Sequence, residues 1–431
     1  MNLRRLAFIA ACLLVSSTWL FASGQTEGTT EGASSQKTVT WTLWDDPAAN
    51  GQQAVADMFM KDNPGYQVVL NRVPYDRYED KVRTELAAGD APDLVQVNDD
   101  YVVTYTKRGL IQPVTKYLST FGIKGEDYFK PLWDFNWYDK QLMAISPVDK
   151  VRLIVYNRDM VKAAGLADPS PTWANPNWNF PAFLSYAEKL TKHDGTRTSQ
   201  WGFVGFGDGG LEQTFIANAN GEGLFGSDGK TCSGCNAAAI TAVQFLADMM
   251  HKQKVTPLWG DQNTGGKVDN VFLSGQAAMK LGGNWNIAQL RTDAKFDWDL
   301  ASIPMDKFDT NEPSLVCYAI PKTAKSPDTS AKLLFYMLGE KSQQAFASMG
   351  LVPANVSFAE KYAVTPNVKP DHQKVVLDAM KYAKSVNFTE NTDEAKRVYR
   401  VWLYKVWAGE MTAKDALTQA KPEVEKALSG N

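Results

Sequence analysis

The chain after residue 38 alternates short apolar runs with amphipathic stretches. Residues 39–44 are apolar and partly β-branched, which predicts a strand. Residues 52–61 place Val55, Met58 and Phe59 on one face of a helix. The alternation continues with a strand at 66–73, a helix at 75–88 and a strand at 94–97. This β-α-β-α-β order predicts a parallel sheet with helices on both faces.

A second series of elements begins near residue 153. The pattern predicts strands at residues 153–156, 201–206, 298–303 and 315–320. It predicts helices at residues 159–164, 180–190, 211–219, 237–253, 329–338, 341–348, 373–383, 393–407 and 413–428. Because 431 residues are too many for one compact core, we expect two domains.

The first residues form an export signal and not a part of the fold. Arg4 and Arg5 precede an apolar run at 6–21, and small residues follow, so residues 1–24 predict a signal peptide cleaved near Ser23-Gly24. A retained anchor is disfavoured because the run is short and contains hydroxyl residues. Lipidation at Cys12 is also less favoured, since only residues 6–11 would remain as the apolar segment. Residues 25–37 are polar and small, which predicts a flexible leader.

Charge and composition exclude several classes of protein. The formal net charge is -3 and no basic stripe is visible, so nucleic acid is not an expected partner. The three histidines, His193, His251 and His372, show no ligand spacing, and we expect no metal site and no cofactor. Cys232 and Cys235 follow a turn-rich stretch, which favours a small loop disulfide in an exported protein over a redox dithiol.

Several separated motifs together resemble the family 1 extracellular solute-binding proteins, the group that includes maltose-binding protein. The most specific motif is the run from Phe272 to Met279 followed by Gly283-Asn284-Trp285. Matching segments occur in order along nearly the whole mature chain, at residues 91–97, 108–113, 145–149, 153–159, 164–166, 171–173, 320–322, 350–354 and 409–412. Each segment is weak alone, but their order and spacing are specific.

The resemblance implies a two-lobed α/β periplasmic-binding-protein fold. Each lobe is expected to be a mainly parallel sheet flanked by helices, with a hinge and a ligand cleft between the lobes. We expect lobe 1 at residues 38–148 and about 286–317, and lobe 2 at residues 149–285 and about 318–431. Chain crossings are expected near residues 148–150 and 283–286 and between 312 and 318. Gly282-Gly283 suits a hinge, although close packing explains it equally well.

The same resemblance implies a function without catalysis. The chain is expected to bind a mono- or oligosaccharide by lobe closure and to deliver it to the permease subunits of an ABC transporter, acting as a monomer. A receptor for a polyamine or a glycerol phosphate remains an alternative. A secreted glycoside hydrolase would need two carboxylates across one bond, and Asp99 and Asp100 are adjacent and would point apart in an extended segment.

Polar residues that follow the predicted strands are the first candidates for ligand contact. Ligands of open α/β sheets bind beyond the carboxyl ends of strands, where carboxylates and amides can accept or donate to sugar hydroxyls. The candidates of this kind are Asp45, Asn98, Asp99, Asp100 and, at the first crossing, Asp149. By the resemblance, Asp100 falls where a ligand-binding aspartate is expected. The alternative is that these acids cap turns and helices.

Aromatic residues are the second group of candidates, because a flat ring covers the C–H face of a sugar. Trp285 matches the cleft tryptophan of the resemblance, and Trp44, Trp201 and Trp259 are further candidates. The loop from Gly205 to Gly210 matches the dinucleotide fingerprint formally. No acidic residue follows a second strand as that fingerprint requires, so Phe206 and Asp208 are instead expected near a ligand. Core packing is the alternative for each tryptophan and turn geometry for the loop.

Overall fold

The structure is a computed structural model that describes residues 36–206, 210–262, 267–311, 314–384 and 388–430. The predicted signal peptide, its cleavage site near Ser23-Gly24, Cys12 and nearly all of the predicted leader lie outside these residues, as does Asp208. Within the described ranges, no helix has the length and apolar character needed to cross a membrane.

The strands are short and are spread along the whole of the described chain. They are, in chain order, β1 (Lys37–Leu43), β2 (Tyr66–Arg72), β3 (Leu94–Asn98), β4 (Trp137–Tyr138), β5 (Gln141–Leu142), β6 (Val148–Lys150), β7 (Arg152–Asn157), β8 (Lys192–Asp194), β9 (Arg197–Val204), β10 (Ala277–Gly283), β11 (Trp298–Ala301), β12 (Ser314–Ala319) and β13 (Val352–Pro353).

Helices separate most of these strands and make up the C-terminal part. They are, in chain order, α1 (Gln52–Asp62), α2 (Tyr75–Ala88), α3 (Asp99–Lys107), α4 (Tyr117–Thr120), α5 (Lys130–Phe135), α6 (Arg158–Ala163), α7 (Phe180–Leu190), α8 (Gly210–Asn220), α9 (Ala237–His251), α10 (Trp259–Gln262), α11 (Lys267–Leu273), α12 (Ile287–Asp293), α13 (Pro327–Tyr336), α14 (Glu340–Ser348), α15 (Val356–Tyr362), α16 (Lys374–Asp378), α17 (Thr392–Trp407) and α18 (Ala413–Leu428). Short 3-10 turns occupy Gly125–Asp127, Ser233–Cys235, Asn284–Asn286 and Ala379–Tyr382.

Local sequence signals explain where many of these elements begin and end. Asn179 accepts a hydrogen bond from the backbone N–H of Ala182 and so caps α7, which carries a proline in its first turn. Gly89 ends α2 in the left-handed conformation that glycine adopts without strain. The predicted helices at 75–88, 180–190 and 413–428 are confirmed with the same bounds.

The chain forms two main sheets. Sheet 1 has the order β13-β6-β12-β3-β1-β2 and sheet 2 the order β11-β7-β10-β9-β8. In sheet 1, β1 pairs in parallel with β2 and β3, but β12 runs antiparallel to β3 and β6. In sheet 2, β9 and β10 are parallel, whereas β7 is antiparallel to both β10 and β11.

The expected α/β architecture is confirmed, but the sheets are mixed and not mainly parallel. The β-α-β-α-β segment does give the parallel arrangement of β1, β2 and β3. Parallel neighbours in a sheet need a crossover connection, usually a helix, between them. Strand β12 follows β11 of sheet 2 without such a helix, and it pairs antiparallel with β3.

Sheet membership also differs from the expected division of the chain. Strand β11 pairs with β7 in sheet 2, although residues 286–317 were expected in lobe 1. Helices α13 and α14 pack on β1 and α1, and β13 joins sheet 1, although these elements were expected in lobe 2. Short apolar strands carry no local signal of which sheet they join, so chain order alone misassigned them.

The chain passes between the sheets at two of the three expected places. Strand β6 belongs to sheet 1 and β7 to sheet 2, so the first crossing lies at Val151, and β12 returns to sheet 1 after β11. The crossing expected near residues 283–286 is wrong, because β10 and β11 on either side of it both belong to sheet 2. Gly283 instead allows close packing: an added Cβ would lie 2.1 Å from the Trp285 ring.

Candidate functional site

A cleft of about 580 Å³ opens between α2 and α3 on one side and α17 on the other. We call the residues of α2, β3 and α3 that line it the lobe-1 wall, because these elements belong to sheet 1. The lobe-1 wall contains Tyr75, Asp76, Tyr78, Glu79, Asp80, Arg83, Asn98, Asp100 and Tyr101. The residues of α17 that line it form the lobe-2 wall, which contains Asp393, Lys396, Arg397, Arg400, Val401 and Tyr404.

Helix α17 presents one stripe of side chains to the cleft. The lobe-2 wall residues recur every three or four positions, as expected for one face of a helix. The opposite face is buried and packs against α18, and it contacts Phe206 and Gly234 on the sheet-2 side. Its buried residues are Thr392, Ala395, Tyr399, Leu403, Val406 and Trp407. Helix α17 is therefore amphipathic: its apolar face is buried in the protein, and its polar face lines the cleft.

The lobe-1 wall begins where β3 ends and α3 begins. Asn98 is the last residue of β3, and its side-chain amide donates to the Tyr75 hydroxyl at 3.4 Å. Asp100 lies in the first turn of α3, where the helix N-terminus favours a negative charge. The placement of these two residues follows from the strand-to-helix junction that their sequence encodes.

Asp100 has one occupied and one unoccupied carboxylate oxygen. Lys396 of the lobe-2 wall donates to Oδ2 of Asp100 at 3.1 Å, and both side chains are largely buried. The other oxygen, Oδ1, is buried and has no hydrogen-bond partner among the described residues. A buried acceptor without a partner is costly, so a ligand hydroxyl donated to this atom would be stabilising.

Two more hydrogen bonds involve the acids of the cleft. The Tyr101 hydroxyl donates to Asp393 at 3.0 Å across the two walls. The Tyr105 hydroxyl donates to Glu79. Burial raises the pKa of Glu79 to about 7, with the nearby charges of Asp100 and Asp393 adding to the rise. The lobe-1 wall therefore carries less negative charge at neutral pH than its sequence suggests.

Arg400 is the cation of the lobe-2 wall with the fewest polar contacts. Lys396 pairs with Asp100, and Arg397 pairs with Glu394 on its own helix. No hydrogen bond or ion pair involves Arg400 within the part of the chain that the structure describes. Burial lowers the pKa of its guanidinium, but the carboxylates of Glu212 and Asp100 outweigh this and raise it. Arg400 is a charged donor group facing the cleft.

Asp45 and Asp99 use their oxygens within the protein. Oδ1 of Asp45 accepts from Lys150 Nζ at 2.6 Å, and Oδ2 accepts from the side-chain amides of Gln52 and Gln96. Asp99 accepts from the backbone N–H of Asp100 and that of Leu315. Neither lines the cleft, and both sites agree with the alternative structural role for acids after strands.

Asp149 is fully buried at the first chain crossing and does not line the cleft. Neither of its carboxylate oxygens accepts a hydrogen bond of good geometry from the described residues. Burial raises its pKa to about 8; the backbone amide of Lys150 and the charge of Arg152 offset this in part, and Asp99 adds to it. Asn284 bridges this crossing, accepting from Val151 N–H and donating to the Asp149 carbonyl.

The aromatic candidates lie at different distances from the cleft. Trp44 packs edge-on against Tyr75 and Tyr78 of the lobe-1 wall, and Trp259 stacks on Tyr404 of the lobe-2 wall at 4.7 Å. Both tryptophans therefore lie behind tyrosines that line the cleft.

The other three aromatic candidates are not part of the cleft lining, and Trp201 lies in β9, paired with Ala277 of β10. Phe206 is buried against Trp407, and Trp285 packs over Gly283. Among the candidates that the structure describes, only Asn98 and Asp100 line the cleft directly.

Most cleft residues were not among the sequence candidates. The tyrosines and charged residues of α2 and the whole lobe-2 wall lie on helix faces, and a polar helix face ordinarily faces solvent, so it does not by itself predict a ligand site. A recognisable signal was present: residues 393–404 combine Lys, Arg and Tyr on one helical stripe, opposite a stripe of apolar residues.

Cys232 and Cys235 form a disulfide, and both are buried. The bridge closes the 3-10 turn Ser233–Cys235 just before α9. This burial favours a structural role over a redox one. Within the described ranges, no group of three or more His, Cys, Asp or Glu residues is placed to hold a metal ion.

Comparison with known proteins identifies relatives of nearly the whole chain and of parts of it. The family model described as bacterial extracellular solute-binding protein matches residues 44–344. The galactooligosaccharide-binding protein of Bacillus subtilis (strain 168) is 22% identical, over 95% of this chain and 94% of that protein. The sn-glycerol-3-phosphate-binding periplasmic protein of Escherichia coli (strain K12) is 25% identical, over 59% of this chain and 57% of that protein.

Solved structures share the fold over nearly the full described length. An ABC substrate-binding protein from Listeria monocytogenes in complex with cycloalternan superposes with a TM-score of 0.81 at 20% identity, covering 91% of this chain and 99% of that one. A maltose/maltodextrin-binding domain from Bdellovibrio bacteriovorus bound to maltotriose superposes with a TM-score of 0.76 at 21% identity, covering 91% and 100%. The two-lobed periplasmic-binding-protein fold is therefore shown.

Proposed function

Because the chain belongs to the bacterial extracellular solute-binding protein family, we propose that it is a carbohydrate receptor of an ABC transporter. It captures a mono- or oligosaccharide between its two lobes and delivers it to the permease subunits. Its own role is binding without catalysis, and it acts as a monomer. The relative that binds galactooligosaccharide matches this chain almost end to end and supports the choice of ligand class.

One observation at the cleft carries the proposal: acceptors, donors and ring faces occur together on facing walls. Asp100 offers a buried oxygen that no described residue uses, and Arg400 offers N–H groups. Tyr75 and Tyr404 present half-exposed rings on opposite walls. A sugar has hydroxyls that donate and accept and C–H faces that pack on rings, so it is complementary to all three kinds of group.

Lobe closure is the proposed mechanism of capture. The walls belong to elements around different sheets, and the chain crosses between the sheets near Val151, where few residues absorb a change of angle. A sugar that contacts both walls binds the closed form better than the open one and shifts the population towards it. The closed surface then distinguishes loaded from empty receptor for the permease.

The proposal includes export before function. The signal peptide at residues 1–24, with cleavage near Ser23-Gly24, and the polar leader after it would release or loosely tether the two-lobed part outside the cytoplasm. Lipidation at Cys12 remains the less favoured form of attachment.

A glycerol phosphate is the second candidate ligand. Arg400 faces the cleft without an ion pair among the described residues, and a guanidinium suits a phosphate oxygen pair. A relative of part of the chain binds sn-glycerol 3-phosphate. The acids of the lobe-1 wall oppose this reading, because a phosphate dianion would meet Asp100 and Asp76.

The test is a binding screen with the protein from residue 36 onward. Galactooligosaccharides, maltotriose, simple hexoses and sn-glycerol 3-phosphate are added at increasing concentration, and the melting temperature and binding heat are recorded. We expect stabilisation by an oligosaccharide, of about 2.7 kcal/mol when it is at a hundredfold excess over its dissociation constant. Stabilisation by glycerol phosphate alone would support the second candidate, and consumption of the sugar would contradict a binding protein.

Asp100→Asn tests the cleft itself. Replacing the carboxylate weakens its bond to a sugar hydroxyl and removes its pairing with Lys396, so we expect about 10- to 100-fold weaker sugar binding. Asp134→Asn, at an exposed acid of α5 outside the cleft lining, is the matched control and should bind as the unchanged protein does. Equal affinity of both variants would place the sugar elsewhere.

A further inference from the structure

The lobe-2 wall is carried by a single helix, so its geometry depends on how that helix is held. Binding groups generally need placement within about 0.5 Å and 10–20° to be effective. A helix with its side chains is about 10–12 Å across, so a rotation of about 10° displaces its outer atoms by roughly 1 Å. Whatever fixes the rotation of α17 therefore sets the arrangement of Lys396, Arg400 and Tyr404.

The buried face of α17 has a specific polar contact at its middle. The Tyr399 hydroxyl donates to the Gly234 carbonyl at 3.0 Å, and this contact is buried. Burial raises the pKa of Tyr399 far above its usual range, so the phenol remains a donor. Tyr399 lies next to Arg400 in sequence and one turn after Lys396, so it is attached to the part of α17 that lines the cleft.

The acceptor of that bond sits inside the disulfide-closed turn. Gly234 lies between Cys232 and Cys235, which are bridged and buried. The turn is held on several sides: Gly234 N–H donates to the Leu224 carbonyl, Cys232 N–H donates to Glu425 of α18, and Asn236 caps α9 directly after it. The Gly234 carbonyl is thus a fixed point on the sheet-2 side of the molecule.

We propose that Tyr399 and the Cys232–Cys235 turn are positioning elements that set the orientation of α17 and hence the geometry of the lobe-2 wall. The inference rests on the proposed function, because it assigns these residues to ligand affinity through α17. Neither Tyr399 nor the disulfide lines the cleft, so their effect is exerted through the helix. Without the Cys232–Cys235 disulfide, the turn can change conformation, and the Gly234 carbonyl that accepts from Tyr399 is no longer held in one position.

The test compares two tyrosines that each donate to a backbone carbonyl. Tyr399→Phe removes the bond to Gly234, and Tyr186→Phe removes a bond from α7 to the Ala167 carbonyl at 3.2 Å, away from α17. The probe is the oligosaccharide that the unchanged protein binds best. Loss of one buried hydrogen bond should weaken binding about 5- to 10-fold in Tyr399→Phe. Binding by Tyr186→Phe should stay within about twofold, since most residues far from the site act independently.

The second readout needs no ligand. Amide hydrogen exchange of residues 392–407 should be faster in Tyr399→Phe, and faster still in the double variant Cys232→Ala, Cys235→Ala, than in the unchanged protein. Unchanged exchange of these amides with unchanged affinity would overturn the proposal. Reduced melting temperature with unchanged affinity would also overturn it, because that result describes stability and not positioning.

The two proposals fail in different ways. If the unchanged protein binds none of the sugars, the carbohydrate proposal fails, and the positioning proposal is then decided by exchange alone. In that case equal exchange of residues 392–407 in Tyr399→Phe and Tyr186→Phe contradicts it. If sugars bind and both variants bind equally well, the carbohydrate proposal stands and the positioning proposal is wrong.

Discussion

Asp45 and Asp149 are both buried beside Lys150, but their surroundings differ. Asp45 accepts a hydrogen bond from Lys150 and two from glutamine side chains, so both of its oxygens are satisfied. Asp149 is the more deeply buried of the two, and neither of its oxygens accepts a hydrogen bond of good geometry from the described residues. Lys150 pairs with Asp45 and not with its neighbour Asp149, because successive side chains of a strand point to opposite faces.

The contrast shows that burial alone does not determine what a carboxyl group does. A buried carboxylate with a cation and two donors is held in one geometry, whereas a buried carboxyl without partners is more stable when protonated. The pKa of Asp149 is accordingly raised to about 8 by burial and by the charge of Asp99. Two acids near one chain crossing therefore respond differently to mutation and to pH.

The largest effect is expected from breaking the satisfied pair. Lys150→Met leaves the Asp45 carboxylate buried without its cation, and we expect the free energy of unfolding to fall by about 3–5 kcal/mol. Urea unfolding at neutral pH measures this. The double variant Asp45→Leu, Lys150→Met should recover part of the loss, because it removes both charges. A loss below about 1 kcal/mol in the single variant would show that the pair is not desolvated as described.

A smaller effect, with a defined pH dependence, is expected at Asp149. Its pKa is raised in the folded state, so between about pH 4 and pH 8 the folded protein holds one more proton than the unfolded chain. The protonated carboxyl therefore contributes to the free energy of unfolding at low pH. This contribution is lost as pH rises towards 8, by about 1.4 kcal/mol per pH unit. Asp149→Asn removes it.

Urea unfolding of the unchanged protein and Asp149→Asn at pH 5.0, 6.0, 7.0 and 7.5 checks this prediction. The variant should gain stability relative to the unchanged protein as pH rises, by about 1.4 kcal/mol per unit over most of this range. The groups that act on the Asp149 carboxyl are the backbone amide of Lys150 and the charges of Asp99 and Arg152, and they are identical in both proteins. Parallel pH profiles would mean that Asp149 is ionised in the folded protein.

The smallest effect on the free energy of unfolding is expected at an exposed ion pair. It joins a carboxylate to a lysine ammonium, as Asp45–Lys150 does, but it is not buried. Lys361 donates to Glu340 at 2.8 Å, but both side chains are about half exposed or more. Water screens such a pair, so Lys361→Met should change the free energy of unfolding by less than about 1 kcal/mol. Lys361→Met, measured by the same urea unfolding experiment, is the matched control for Lys150→Met. If Lys361→Met lost as much unfolding free energy as Lys150→Met, burial would not determine the contribution of an ion pair to stability.

The residues of the lobe-1 wall could be predicted from the sequence in part, whereas those of the lobe-2 wall could not. Asn98 and Asp100 follow an apolar strand directly, and strand ends are a known location for ligand contacts, so both were candidates and both line the cleft. Their contact with a ligand remains a prediction. The lobe-2 wall lies on α17, nearly 300 residues further along the chain, and no local feature places it opposite β3.

The sequence by itself determined most of the longer helices, seven of the strands, the parallel arrangement of β1 to β3 and the family. These follow from periodicity between near neighbours and from motifs in a fixed order, which need no knowledge of distant contacts. Only the tertiary structure decided that β11 joins sheet 2, that Asp45 is paired and Asp149 is not, and that α17 faces α3. Each of these depends on which distant residues exclude water from a given side chain, and that is fixed by packing and not by neighbours in the chain.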